Sequence, residues 1–129
     1  MMFSQKYRLT KKRDIDRVFR QGNRAAAGFV FCNTLENGLG YNRYTVMIGL
    51  KSGLKAAGRN LFKRRTRAII IDEADSIHKG LDMIVGFRGR FEKVPKSKEI
   101  AENIDKCLKQ LRSGASGPTK KPYHRTTGR

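Results

Sequence analysis

Apolar positions along this chain follow two rhythms, and the switches between them mark the elements. In residues 10–22, Ile15, Val18 and Phe19 stand at i, i+3 and i+4, while Lys11, Lys12, Arg13, Arg17 and Arg20 fill the rest of each turn. That is the pattern of an amphipathic helix. Thr10 offers a side-chain N-cap and Gly22 a terminator. Residues 25–35 change to a period of two, with Phe29 and Phe31 on one side and Val30 and Cys32 on the other, which predicts a strand. ENGLG at 36–40 is a turn, and residues 43–50 give the next strand, with Tyr44, Val46 and Ile48 in phase. A helix is predicted over 55–75; Leu54, Leu61, Phe62, Ala68 and Ile69 form the stripe that would pack on a sheet. LDMIVGF at 81–87 is largely apolar, the kind of strand buried on both faces. Ile100, Ile104, Leu108 and Leu111 predict a last helix over 97–114. The order of helix, two or three strands, helix, strand and helix describes a small α+β sandwich in one domain.

The ends are different in kind. Residues 1–7 read as a loose arm. Residues 113–129, SGASGPTKKPYHRTTGR, have little to bury and read as a disordered basic tail. No apolar run approaches the ~18 residues of a membrane span, and MMFSQKYR lacks the apolar segment of a signal peptide. Cys32 and Cys107 both sit among apolar neighbours. Together these features predict a cytoplasmic protein with reduced core thiols.

Charge changes the picture most. The chain carries 29 Lys plus Arg against 11 Asp plus Glu, a formal net charge of +18 on 129 residues. Such a balance points to nucleic acid ahead of an anionic membrane. The excess is concentrated at 51–67, KSGLKAAGRNLFKRRTR, which holds seven Lys or Arg and no acidic residue. Residues four apart stack nearly above one another on a helix. Lys55, Arg59, Lys63 and Arg67 therefore form one cationic row, flanked by Asn60 and Arg64. Like charges so placed repel by a few tenths of a kcal/mol per neighbouring pair, a cost that makes sense if a polyanion covers them. Asn60 can bond base edges or cap a loop.

Catalytic chemistry is hard to assemble from what remains. Only His78 and His124 are available as bases, one in a polar loop and one in the tail. Zinc would want paired Cys or His ligands at short spacing, and none occur. Asp72-Glu73-Ala74-Asp75 spells a helicase motif, but the phosphate-binding Gly-rich loop such an enzyme needs is missing, so an acidic, solvated helix end is expected. Gly86-Phe87-Arg88-Gly89-Arg90 resembles one copy of an arginine-glycine RNA-binding segment; a strand end with exposed arginines explains it equally well.

Three features together resemble the protein component of bacterial ribonuclease P, over about residues 7–111. RLTKKRDIDRVFRQG at 8–22 is similar to the family's first helix, which ends in a Val-Phe-x-x-Gly phrase. Lys51, Lys55 and Ala56 match a Lys-x-x-x-Lys-Ala stretch. RNLFKRRTR at 59–67 matches the hallmark Arg-Asn-Arg-x-Lys-Arg-x-x-Arg at Arg59, Asn60, Lys63, Arg64 and Arg67. The chain departs from the family at Leu61, where the second hallmark arginine belongs, and at Arg65, where the family is usually apolar. An arginine there must carry its head past the edge of the core, or the helix is turned slightly from the family pose. The glycine of the preceding loop comes one place early, as Gly53.

The resemblance implies a two-layer sandwich of a four-stranded mixed sheet and three helices, like the second domain of a small-subunit ribosomal protein. It further implies a left-handed βαβ crossover around the basic helix, an exception to the usual hand. It implies an RNA-binding subunit of a tRNA 5′-maturation endoribonuclease whose catalysis, with magnesium ions, resides in the RNA subunit; no metal is expected on the protein, nor a membrane or an obligate protein partner. Lys51, Lys55, Arg59, Asn60, Lys63, Arg64 and Arg67 would bind the ribonuclease P RNA. Arg8, Lys11, Lys12, Ile15, Phe19, Phe29 and Phe31 would form a cleft for the single-stranded 5′ leader of precursor tRNA. Aromatic rings in such a groove stack bases at roughly 1–3 kcal/mol each, although Phe at helical or alternating spacing also suits a core. A ribosomal or assembly protein would share the composition and lack the hallmark motif. A protein-only nuclease would need a cluster of metal ligands.

Overall fold

The computed structural model describes residues 5–73, 77 and 79–113. The elements are α1 (Lys12–Gln21), β1 (Asn23–Ala27), β2 (Val30–Glu36), β3 (Arg43–Met47), α2 (Ala56–Asp72), β4 (Leu81–Phe87) and α3 (Ser97–Ser113). The four strands form one sheet in the order β1-β2-β4-β3. β1 and β2 are antiparallel, as are β2 and β4, whereas β3 and β4 run parallel and are joined through α2 as a βαβ unit. This is the α+β arrangement of a mixed four-stranded sheet and three helices that the sequence implies.

Alternation along the strands separates two cores, because successive side chains point to opposite faces. On one face Val30, Cys32, Tyr44, Val46, Met83 and Val85 meet Phe62, Ile69 and Ile70 of α2 and Ile100, Ile104 and Leu108 of α3. On the other, Ile84 meets Leu9 and the α1 residues Val18 and Phe19. β4 is central and buried from Asp82 to Gly86, as its apolar run predicts. α1 is the one described α-helix on its face, and Phe31, Leu35 and Met47 there are only partly covered.

Several expectations need correction. The single strand over 25–35 is a hairpin: Ala27 pairs with Val30, and Gly28 and Phe29 make the two-residue turn. Gly28 has φ +56°, a left-handed conformation that glycine adopts without steric cost. Thr10 does not cap α1. The Leu9 N–H donates to the Tyr44 carbonyl at 2.8 Å and Arg8 bridges to Tyr44, which holds the chain extended until Lys11. Residues 5–7 are a 3-10 turn rather than a loose arm, with the Tyr7 ring edge-on to Tyr41 at 5.6 Å. The buried stripe of α2 is Phe62, Thr66, Ile69 and Ile70, while Leu61 is half-buried and Ala68 exposed. The Thr66 hydroxyl donates to the Phe62 carbonyl at 2.8 Å, so its burial leaves no orphan donor.

Cys32 and Cys107 are free and buried in the larger core, as expected. The hydrogen bond between them and the burial of Cys32 raise its pKa well above the usual thiol value, so Cys32 stays protonated at neutral pH. The expected tail, His78 and the end of the acidic stretch at 74–75 lie outside the described residues. No described helix is long and apolar enough to cross a membrane.

Candidate nucleic-acid interface

The cationic row borders the buried stripe of α2 rather than standing opposite it. Asn60 and Arg64 are exposed, Lys63 and Arg67 half-buried, and Lys55 is exposed just before the first turn. Lys51 is exposed on a short 3-10 segment ahead of it. Ion pairs among the described residues join α1, β3 and β4 side chains, or lie within α3. None of these pairs involves an α2 side chain. Arg59 is partly committed elsewhere: its Nη1 donates to the Leu54 carbonyl at 2.6 Å, tying the loop to the first turn. Arg65 carries its head out of the stripe, and its Nη1 donates to the Pro95 carbonyl at 2.7 Å.

On the opposite face the structure brings together Ile15, Phe19 and Phe31, with Arg8, Lys11 and Lys12 exposed nearby at the start of α1. Phe19 is only 5% exposed, so it packs as core beneath α1, 6.5 Å from the tilted Phe31 ring. Phe31 is the half-exposed ring of this face. Phe29 is not on this face. Placed in the turn, it joins the other core, edge-on to Phe62 at 6.2 Å and to Phe91 at 5.5 Å. The hairpin break removes Phe29 from the alternation that would have set it beside Phe31.

Gly86 makes room for the Phe31 ring. A Cβ at position 86 would lie 2.1 Å from the ring's Cζ. Gly86→Ala should therefore push the ring off the sheet and cost about 1–3 kcal/mol as overpacking. Thermal unfolding of Gly86→Ala with and without Phe31→Ala measures this: the second change should recover most of the loss.

Asn33, on the same face, is fully buried, and neither its Nδ2 nor its Oδ1 has a partner among the described residues. A buried amide without partners costs about 1–3 kcal/mol. Asn33→Leu should raise the unfolding midpoint in urea, by about 1–2 kcal/mol in free energy; a lower midpoint would mean the amide is satisfied in solution.

One feature of the site is not legible from spacing. Asp82, at the start of β4, accepts from Arg43 Nε at 2.8 Å, from Arg43 Nη2 at 2.7 Å and from Asn37 Nδ2 at 2.9 Å. Arg43 Nη1 also lies 3.6 Å from Asp14 in the first turn of α1, and Asp14 accepts from Arg17 at 2.7 Å. This network fixes the start of α1 over β3 and β4. Its members are far apart in sequence, and only the parallel pairing of Arg43 with Asp82 joins them. No group of three or more His, Cys, Asp or Glu side chains is gathered as for a metal among the described residues.

The family model for Ribonuclease P matches residues 3–112. The chain belongs to the ribonuclease P protein family. A ribonuclease P protein component from Thermotoga petrophila is 32% identical over 83 residues, covering 64% of this chain and 70% of that protein. One from Lactobacillus johnsonii is 32% identical over 80 residues, covering 61% of this chain and 66% of its own length. Among solved structures, the RNase P protein of Thermotoga maritima superposes with a TM-score of 0.70 at 29% identity, over 80% of this chain and 96% of that one. A mutant RNase P protein of Staphylococcus aureus superposes with a TM-score of 0.74 at 25% identity, over 84% and 90%. This ribonuclease P family member thus keeps the fold while carrying Leu61 and Arg65 in its α2 motif; Leu61 is half-buried beside the stripe, and Arg65 is tied to the loop before α3.

Proposed function

We propose that this chain is the RNA-binding subunit of a ribonuclease P, assisting a catalytic RNA in removing the 5′ leader of precursor tRNA. The observation that carries the reading is the set of α2 cations, exposed at Arg64 and half-exposed at Lys63 and Arg67, in no ion pair among the described residues of a member of this family. Lys51, Lys55, Asn60, Lys63, Arg64 and Arg67 bind the phosphates of the RNA subunit, and Arg59 divides its donors between RNA and the Leu54 carbonyl. The α1 face takes the single-stranded leader. Arg8, Lys11 and Lys12 meet its backbone, the half-exposed Phe31 supplies an aromatic surface, and Ile15 and Phe19 support that surface from below. Phosphodiester hydrolysis belongs to the RNA partner and its magnesium ions, and the protein contributes affinity and alignment. The site of action is the cytoplasm.

Reconstitution tests this directly. Adding the protein to a bacterial ribonuclease P RNA at low magnesium should restore cleavage of precursor tRNA at the mature 5′ end. Absence of rescue, together with tight binding of rRNA fragments, would instead make the chain a ribosomal or assembly protein.

A further inference from the structure

α3 seats one row of side chains on the β1–β2 hairpin. Asn103, Cys107 and Gln110 stand at i, i+4 and i+7 and so share a helix face. Each reaches the hairpin backbone. The Asn103 amide lies over Gly28, where a Cβ would come within 2.8 Å of its Oδ1. Cys107 Sγ donates to the Val30 carbonyl at 3.8 Å, and Gln110 Nε2 donates to the Ala26 carbonyl at 3.0 Å. β1 presents Ala25, Ala26 and Ala27 here. With so little side chain between them, helix and strand come close.

That approach sets two thiols against one another. Cys32 lies two residues beyond Val30 on β2, on the same face of the strand, and its neighbour across the ladder is the small Ala25. Both cysteines are free and fully buried in the larger core. The Cys32 thiol donates to Cys107 Sγ, and this bond raises the pKa of Cys32 while lowering that of Cys107. Cys107 is therefore the more readily ionised sulfur, and Cys32 the one that keeps its proton. A nucleophilic sulfur with a resolving thiol in contact is the arrangement of an oxidisable pair.

We propose that Cys32 and Cys107 form a dithiol site that hydrogen peroxide oxidises to a disulfide, stapling α3 to the β1–β2 hairpin. The Cys107 sulfur attacks one peroxide oxygen and the O–O bond breaks. The departing oxygen takes up the proton given up by Cys107 and leaves as water, with a sulfenic acid on Cys107. The Cys32 sulfur then attacks the Cys107 sulfur; the S–O bond breaks, and the hydroxyl leaves with the Cys32 proton as a second water. The two thiols together lose two protons and two electrons, and the peroxide is reduced to water. Both sulfurs are buried, so the oxidant must be as small as this one. The site lies in the core between α3 and the sheet and does not rest on the RNA-binding function proposed above.

The test treats the folded full chain with hydrogen peroxide, quenches with an alkylating reagent in denaturant and reads the mass. Loss of two hydrogens, both sulfurs closed to alkylation and a cross-linked peptide joining Cys32 to Cys107 are expected, all reversed by dithiothreitol. The bridge encloses β3, α2 and β4 in one loop, so it should also raise the urea midpoint by about 1 M. In Cys32→Ala, dimedone should trap a sulfenic acid on Cys107; in Cys107→Ala, Cys32 should stay reduced. The wild-type mass and midpoint keep the test readable if either variant fails to fold. Thiols that remain open to alkylation, sulfinic or sulfonic products without a bridge, disulfides between two chains, or a bridge that lowers the midpoint would each overturn the site.

Discussion

Asp82→Ala should lower the unfolding free energy by about 3–5 kcal/mol, the range found when one partner of a buried ion pair is removed. Against the 5–15 kcal/mol that typically holds a domain together, that is at least about a fifth of the total. Asp82 is 2% exposed and accepts from both Arg43 and Asn37. Its loss leaves the Arg43 guanidinium, itself mostly covered, facing only Asp14 at 3.6 Å. The start of α1 is tied to the sheet through that same arginine, so the damage should reach the packing of α1 on its face. Urea denaturation is the measurement. A midpoint within error of the wild type would mean the network contributes nothing net. Asp82→Asn keeps an acceptor oxygen for Arg43 and should fall between the two.

The joint replacement Lys63→Ala, Arg64→Ala and Arg67→Ala should weaken binding to the ribonuclease P RNA about 100-fold at physiological salt. The expectation comes from counterion release. With about six cations on phosphates, log affinity falls with log salt at a slope near −4 to −5, and losing three should bring it to about −2. Stability should hardly change, because none of the three makes an ion pair among the described residues. Arg65→Ala supplies the contrast. It breaks the bond to the Pro95 carbonyl and should cost about 1 kcal/mol of stability while leaving the slope where it was. A triple variant with the wild-type slope would mean that the row faces solvent in the complex.

These two results separate residues that sit on one helix and look alike in sequence. In KRRTR the spacing already sets Arg65 apart from the row, and the structure supplies the acceptor for its head, the Pro95 carbonyl. The difference lies in α3 and the loop before it, which place a carbonyl within reach of position 65 alone. Arg59 is divided in the same way by the Leu54 carbonyl. Spacing tells which residues share a helix face, and it is silent about which acceptors another element brings to that face.

The α1 face teaches the same lesson from the apolar side. Ile15, Val18 and Phe19 were legible as one stripe, and they do pack together. Whether Phe19 lines a cleft or fills a core depends on how closely α1 lies on the sheet, and the Asp14–Arg43–Asp82 network governs that approach. Phe29 misled because two-residue alternation was carried through Gly28, where the chain reverses. A glycine inside an apparent strand was the one available signal of the break. The contact of Arg24 with the Phe31 ring was likewise invisible until the hairpin brought β1 beside β2.

Sequence alone determined what local forces control: the helical and extended periodicities, the central apolar strand, the family motif on α2 and the surplus of positive charge. Each depends on side-chain type and on spacing within a single element. Tertiary structure decided which face each element buries, which cations are taken by backbone carbonyls, and where an arginine meets an aromatic ring. Those outcomes depend on contacts between residues distant in the chain, whose geometry exists only once the sheet has assembled in its β1-β2-β4-β3 order.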